Sequence, residues 1–402
     1  MSKPKILFIG DFACTTGFGT VNEALLRRVP QSECALYVLG INATGDPHPL
    51  QKDFMIYPSN LHGTDVFGVQ RLVHIAKSIR PDLVIIHQDS WNIVSYLEAM
   101  KLGLGEANLP PVIAYCPPDA PNQHAGKTLT GEVDLLLCPT KFGVDEPRRG
   151  GYQGEAALLP YGVDPMFTPG DQREAREALG FKPEWLHDFI VGRADRNAWR
   201  KRYDLMLRYW LAWWRQAGEP ADARLLLHCK RDDVGWNLDQ LADWYGYPPE
   251  RILFTDPDLD PRYLWPRERL PLVYRAWDVH FSTTMGEGAG LTAIESAMCG
   301  VPQVLPDYSA YGEIFRRMPG ARLYACIDEV ATMGGSINTI GGVPGQLFAI
   351  DALNLEYKRW KYRRLVRPVM DADYYNWDRI AGEFRGHIEA TLQRTLKGSA
   401  RA

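Results

Sequence analysis

The chain has 402 residues, 46% of them hydrophobic and 23% charged, with a formal net charge of −4. That balance excludes a disordered chain, and the length exceeds what one hydrophobic core ordinarily organises, so two or three domains are expected. The mild acidity excludes bulk attraction to nucleic acid or anionic membrane and leaves only local basic patches to consider.

The opening MSKPKILFIGDF holds about five apolar residues before Gly10, too few for a signal-peptide core or a membrane span, so a cytoplasmic protein is expected. Seven cysteines are scattered singly with no C-x-x-C spacing, which argues against a disulfide framework and a structural zinc site. Short apolar runs then recur at ILFIG (6–10), ALYVLG (35–40), LVIIH (83–87), VIAYC (112–116) and LLLC (135–138), with amphipathic stretches between several of them. Near-continuous hydrophobic strands alternating with helices predict a parallel sheet covered on both faces, a doubly wound α/β first half.

YGVDPMFTPGD (161–171), dense in Pro and Gly, reads as a linker. The pattern restarts beyond it with FIVG (189–192), RLLLHC (224–229), RILFT (251–255), DVHFS (278–282) and PQVLP (302–306). Between the first two, DLMLRYWLAWWRQAG (204–218) predicts a helix that buries Met206, Trp210 and Trp213 on one face and stops at Gly218. A closing helix is predicted over about Tyr375 to Leu396. The expected domains are therefore 1–165, 166–372 and a crossover helix with tail over 373–402.

In open α/β sheets ligands collect beyond the carboxyl ends of the strands, so the loops there carry the candidate chemistry. GDFACTTGFGTVNEALLRR (10–28) is a strand end, then Gly17, Phe18 and Gly19, then a helix. Such glycines admit a phosphate to a helix N-terminus, although a tight strand-to-helix turn accounts for them equally well. LVIIHQDSWN (83–92) offers His87 and Asp89, and AYCPPDAPN (114–122) offers Asp119 with His124 beyond it. A strand-end histidine is more often a satisfied structural residue.

VGRADRNAWRKRYDLML (191–207) places Arg196 five residues before Lys201, with Arg200 and Arg202 read as a solvated basic turn. After DVHFS comes the stretch GEGAGLTAIESAMCGVP (286–302), with Glu287, Gly288, Ala289, Gly290, Leu291, Thr292 and Glu295. Thr292 and Glu295 fit a capping box, which explains Glu295 without a ligand but leaves Glu287 and the glycines unexplained. Carboxylates only accept hydrogen bonds, which suits the paired hydroxyls of a ribose or hexose. Asp256-Pro257-Asp258 and Asp258-Leu259-Asp260 look like DxD metal motifs, but the adjoining prolines favour turn chemistry.

The frame EGxGLTxxE-x-x-x-CGVP resembles the nucleotide-sugar signature of retaining glycosyltransferases of the GT-B fold, the group that includes glycogen synthase-like and mannosyltransferase-like enzymes. The likeness covers most of the chain and is most specific over 272–307. It implies two Rossmann-like doubly wound domains facing a cleft, with a C-terminal helix crossing back to the first. It implies a nucleoside diphosphate sugar as donor, no metal and no separate cofactor. Arg196 and Lys201 are then expected at the diphosphate, with the Gly17–Gly19 loop closing on it. Glu295 is expected at the ribose and Glu287 at the sugar. Relatives often carry a His beyond the fourth strand of the first domain; Asp119 is the nearest polar candidate here, so the first-domain catalytic contact stays open among Asp119, His124 and His87.

The acceptor is open as well. YKRWKYRRLVR (357–367) holds six basic and three aromatic residues in eleven, a mixture used to track phosphates and stack bases, or else a cationic helix face whose aromatics pack inward. The opening GDF…TGFGTVN is similar to bacteriophage glycosyltransferases of this fold, which makes hydroxymethylated pyrimidine in phage DNA, reached in the host cytoplasm, one expected acceptor. A glycan, lipid or small molecule is the alternative. A sugar-nucleotide-binding protein without catalysis, and a phosphorylase or epimerase of the same fold, are the readings from other classes.

Overall fold

The computed structural model describes residues 3–61, 63–123, 129, 131–255, 265–332 and 339–399. The chain forms two compact units, one built from Met1–Gly162 and Asp373–Ala402, the other from Val163–Thr332 and Ile340–Ala372.

The first unit is a seven-stranded sheet of β1 (Lys5–Asp11), β2 (Ala35–Ile41), β3 (Met55–Pro58), β4 (Leu83–His87), β5 (Val112–Tyr115), β6 (Leu135–Cys138) and β7 (Ala156–Leu158), in the order β3-β2-β1-β4-β5-β6-β7. Every pairing is parallel, with Leu7 beside Tyr37 on one flank and beside Val84 on the other. Strands of this kind are buried on both faces, which is why their sequences read as unbroken apolar runs: Ile6 to Ile9 and Leu83 to Ile86 are fully buried. The helices Val69–Ile79 and Ser90–Leu104 supply Leu72, Ile75, Ile93, Tyr96 and Met100 to the core beside Leu7, Ile9, Val84 and Ile86. The long helix Trp377–Ser399 belongs to this unit and packs against the helix Gly17–Leu26, where Arg28 pairs with Asp378 at 2.6 Å.

The second unit repeats the plan with β8 (Phe189–Ala194), β9 (Ala223–His228), β10 (Ile252–Phe254), β11 (Val279–Phe281), β12 (Gln303–Pro306) and β13 (Ala321–Tyr324), all parallel, in the order β10-β9-β8-β11-β12-β13. A separate antiparallel hairpin joins β14 (Cys326–Ala331) to β15 (Ile340–Pro344). The helix Tyr203–Gln216 buries Met206, Trp210 and Trp213 completely, as its spacing predicts, against Phe189 and Tyr357.

In each sheet the strand order reverses once, between β1 and β4 and between β8 and β11. At such a reversal the following connections diverge to opposite faces and leave a crevice at the carboxyl ends. The residues delivered there are Asp11 and His87 in the first unit, and Ala194 and Phe281 with the loops that follow them in the second.

Candidate functional site

The second unit assembles its candidate site from the loops after β8 and β11. The first loop is pinned by Asn197, whose side-chain amide donates to the carbonyls of Lys230, Arg231 and Trp236 at 3.3, 3.2 and 2.6 Å and whose carbonyl oxygen accepts from the Trp236 N–H at 3.2 Å. A short 3-10 turn, Trp199–Lys201, then aims Lys201 back toward the sheet, and Arg202, in the left-handed region at φ 52°, redirects the chain into the next helix.

Lys201 is the centre of the arrangement. Its Nζ lies 2.5 Å from Glu287 Oε1 and 2.9 Å from Asp195 Oδ1, joining the two loops. Asp195 also accepts from Arg193 Nε at 2.9 Å, and Arg200 Nη1 stands 3.5 Å from Glu287 Oε1. Burial by itself raises the Asp195 carboxyl, but Lys201 and then Arg193 outweigh it and hold the group well below the usual carboxylate range. Arg193 is fully buried, lies 4.5 Å over the Tyr203 ring and donates from Nη1 to Thr283 Oγ1 at 3.0 Å, while its Nη2 has no hydrogen-bond partner. Three cations (Arg193, Lys201, Arg200) thus face two carboxylates (Asp195, Glu287) in a largely buried cluster. The unused Arg193 guanidinium N–H beside Lys201 suits an anionic ligand.

The second loop is equally constrained. Glu287 donates its N–H to Ser309 Oγ at 2.8 Å and accepts the Ala310 N–H at 3.2 Å, which ties it to the start of the helix Ser309–Phe315. Gly288, Ala289 and Gly290 are buried, and Leu291 and Thr292 half-buried. Gly290 sits at φ +69°, and a Cβ there would stand 2.4 Å from the Tyr311 ring, so both conformation and space demand glycine. The helix Leu291–Met298 follows with no side-chain cap at its N-terminus.

Two expectations therefore change. The capping box does not form: Glu295 is buried and accepts instead from Arg267 Nη2 at 2.9 Å and from the Tyr274 hydroxyl at 2.7 Å. Burial raises the Glu295 carboxyl, against the pull of Arg267. Arg196 is drawn out of the cluster, because the Asn197 anchor carries the loop toward residues 230–236 and leaves Arg196, 57% exposed, paired with Asp233 at 2.9 Å. Arg193, which the sequence reading passed over, lies beside Asp195 in its place. The signal was an arginine near the end of an otherwise apolar strand, FIVGRA. Arg200, read as solvated, also belongs to the cluster.

In the first unit, Thr16 caps the helix Gly17–Leu26: its hydroxyl accepts the Gly19 N–H at 3.0 Å and donates to Asp11 Oδ2 at 2.6 Å. Gly19 is required by space, since a Cβ would meet the Cys14 carbonyl oxygen at 2.5 Å, whereas Gly17 has open surroundings. Asp11 also accepts from Asn42 at 3.0 Å and Gln88 at 3.2 Å. His87 is fully buried between Asn22 (2.5 Å) and Tyr161 (2.7 Å), stacks on Tyr115 and meets the edge of Phe18. Asn22 spends its amide N–H on the Asp11 carbonyl, so its oxygen accepts from His87 Nδ1 and Nε2 accepts from Tyr161. Burial lowers the His87 pKa to about 3, so the ring is a neutral structural residue. Asp119 is half-buried just past β5, and Asp89 is the N-cap residue of the helix Ser90–Leu104. His124 and both DxD motifs lie outside the described residues. Among the described residues no group of three or more His, Cys, Asp or Glu side chains is arranged to hold a metal ion, and no helix is long and apolar enough to cross a membrane.

The basic stretch divides by chemistry. Tyr357 and Trp360 stack on each other at 5.7 Å and join the core around Phe189, while Tyr362 is 73% exposed among the cations. The inward-packing reading holds for two of the three aromatics.

No protein-family model matches the chain. Over 195 residues it is 36% identical to a D-inositol 3-phosphate glycosyltransferase of Mycobacterium sp. (strain JLS); the match takes in 46% of this chain and 40% of that protein, so the chain spans less than half the length of the relative. Among solved structures, sucrose-phosphate synthase from Thermosynechococcus elongatus superimposes with a TM-score of 0.66 at 15% identity, covering 99% of this chain and 100% of that one. HepE from Anabaena, solved in complex with UDP and glucose, superimposes with a TM-score of 0.62 at 15% identity, covering 99% and 100%. These likenesses show the fold: two Rossmann-like units of the GT-B type.

Proposed function

We propose that the chain is a glycosyltransferase that moves a sugar from a nucleoside diphosphate donor to a hydroxyl acceptor with retention of anomeric configuration. The observation that carries this reading is the junction of Lys201 with Glu287 and Asp195 where β8 and β11 part. The fold shared with a protein solved with UDP and glucose, and the matched stretch shared with a named glycosyltransferase, support the donor class.

In the reaction the bond between the anomeric carbon and the diphosphate oxygen breaks, and negative charge collects on the departing diphosphate. Lys201 and Arg193, with the uncapped start of the helix Leu291–Met298, stabilise that charge more in the transition state than in the bound donor, which is what lowers a barrier. Arg196 joins them by exchanging Asp233 for the diphosphate. Glu287 accepts from the sugar hydroxyls and Glu295 from the ribose. The acceptor oxygen bonds to the anomeric carbon on the face the diphosphate leaves, and its proton passes to the departing phosphate oxygen, so no separate protein base is needed. Asp119 is the first-unit candidate for contact with the reacting sugar.

For the acceptor, hydroxymethylated pyrimidine in DNA stands on the likeness of the opening motif to phage enzymes and on the cations of 357–367. With Tyr357 and Trp360 packed inward, Tyr362 is the one aromatic of the stretch left to stack on a base. The test of the proposal is nucleoside diphosphate release from a panel of sugar nucleotides, with and without acceptor hydroxyl compounds. Release that rises with acceptor, and a product of unchanged anomeric configuration by NMR, are expected. A protein that binds the donor and releases nothing is a binding protein, and the proposal fails.

A further inference from the structure

The cationic end of the helix Gln346–Lys361 lies at the amino ends of the second sheet's strands, opposite the loops that carry Lys201 and Glu287. Its contacts fix it there. The Tyr357 hydroxyl donates to Asp222 Oδ1, just before β9, at 2.7 Å, and the rings of Tyr357 and Trp360 pack at 5.3 and 5.5 Å on Phe189, where β8 begins. Arg322, at the start of β13, donates from Nε to Glu356 Oε1 at 3.1 Å. Arg363, in the left-handed region at φ 53°, ends the helix. The chain then passes Gly320, where a Cβ would stand 2.5 Å from the Val366 carbonyl oxygen, and Gly300, whose carbonyl accepts from Arg367 Nη1 at 3.4 Å. The strand β8 has 6 residues, so about 20 Å separates this end from the candidate site at ~3.3 Å per residue.

Residues 357–370 hold six cations and no carboxylate. Lys358, Lys361, Arg363, Arg364 and Arg367 are exposed, and among the described residues Arg359 is the one cation of the strip with a carboxylate partner, Glu356 at 2.8 Å. Tyr362, Val366 and Val369 stand among them at 73, 42 and 80% exposure. Unpaired cations spread along exposed chain suit an extended anionic surface. Tracking of a nucleic-acid backbone uses the cations and a stacking ring, and leaves the two valines in water. An anionic bilayer uses all of them, because the cations meet lipid phosphates while exposed aliphatic and aromatic side chains enter the boundary between headgroups and acyl chains.

We propose that residues 358–369 form a docking strip for an anionic lipid surface, which the chain meets with the amino edge of its second sheet. The strip is a tether rather than part of the candidate site, since the loops joined by Lys201 and Glu287 open at the other edge of the same sheet. The proposal is independent of what those loops transfer. The chain as a whole carries −4, so attraction to such a surface is local to the strip and is screened by salt.

The experiment is co-sedimentation of the whole chain with vesicles of phosphatidylcholine alone and of equimolar phosphatidylcholine and phosphatidylserine, beside a titration with a DNA duplex of arbitrary sequence. Three proteins are compared: the unaltered chain, a charge variant combining Lys358→Gln, Arg363→Gln and Arg364→Gln, and an apolar variant combining Val366→Ser and Val369→Ser, each checked for an unchanged unfolding midpoint. The unaltered chain is expected to bind the anionic vesicles and not the neutral ones, less tightly as salt is added. At about fivefold for each cation near an anionic surface, the charge variant binds them about a hundredfold more weakly. The apolar variant binds the vesicles several-fold more weakly and the duplex as the unaltered chain does. No sedimentation with anionic vesicles, or binding that the charge variant leaves unchanged, overturns the proposal. Tighter binding to the duplex than to the vesicles, lost in the charge variant and kept in the apolar one, assigns the strip to nucleic acid and overturns it as well.

Discussion

Lys201 and Glu287 are 86 residues apart in the chain and 2.5 Å apart in the fold. Their ion pair joins the loops after β8 and β11, and Asp195 holds Lys201 from the other side at 2.9 Å. Removing either charge therefore acts on both loops.

Glu287→Gln keeps the shape and removes the charge that the proposed mechanism sets against the sugar. It is expected to lower kcat by about a hundredfold, the scale on which a single electrostatic partner stabilises a transition state, with a smaller change in KM. Lys201→Ala leaves Asp195 and Glu287 buried without their shared cation. It is expected to raise the donor KM as well as lower kcat, and to cost about 3 kcal/mol of stability. Steady-state kinetics and urea unfolding separate the two effects.

Gly290 carries a different kind of constraint, combining φ +69° with a Tyr311 ring only 2.4 Å from where a Cβ would stand. Gly290→Ala is expected to lower stability by about 1–3 kcal/mol through backbone strain and crowding together. Adding Tyr311→Leu relieves the crowding but not the strain, so the double variant should recover only part of the stability. Full recovery would mean the conformation is not constrained.

Acid sensitivity follows from two buried histidines. Burial lowers His87 to about 3 and His280 to about 4, both below the unfolded value. Only neutral side chains bond to either ring: Asn22 and Tyr161 at His87, Gln303 and Ser296 at His280. Between the ordinary histidine pKa of about 6.5 and these folded values the unfolded chain binds protons that the folded chain does not. Their stabilising contribution is complete above about pH 6.5 and falls as the pH drops, each by about 1.4 kcal/mol per unit. Urea midpoints from pH 7.5 to 4.5 should therefore decline, and less steeply in His87→Gln.

The basic stretch gives an acceptor test. If DNA is the acceptor, charge reversal at Lys358, Arg363 and Arg364, all exposed, lowers the slope of log affinity against log salt by about one for each phosphate no longer neutralised. Trp360→Ala instead lowers stability, because its half-buried ring packs against the core. An unchanged slope in the reversal variant counts against DNA.

The fold was largely legible because buried parallel strands leave unbroken apolar runs: all ten runs picked out along the chain are strands. Most of the strands that escaped are half-covered, and β15 is glycine-rich (IGGVP). β3 exposes Met55 at 57%, β7 exposes Leu158 at 40%, and β14 is largely exposed along its length, so their sequences carry no strong hydrophobic signal. At the candidate site, the resemblance pointed to Glu287, Lys201 and the glycine loop, and the fold brings Lys201 and Glu287 together. The partners of Glu295 were not legible, since Arg267 and Tyr274 reach it from a different segment and only the fold brings them there. Arg196 and Arg193 could not be told apart by spacing alone; the anchor at Asn197 decides which of them lies beside Asp195.

The measurement closest to the central claim is the initial rate of nucleoside diphosphate release from a sugar nucleotide by the unaltered chain and by Glu287→Gln, at matched folded fraction. The account predicts release by the first, stimulated by acceptor, and a rate about a hundredfold lower for the second. Equal rates, or no release from any sugar nucleotide by the unaltered chain, would contradict it.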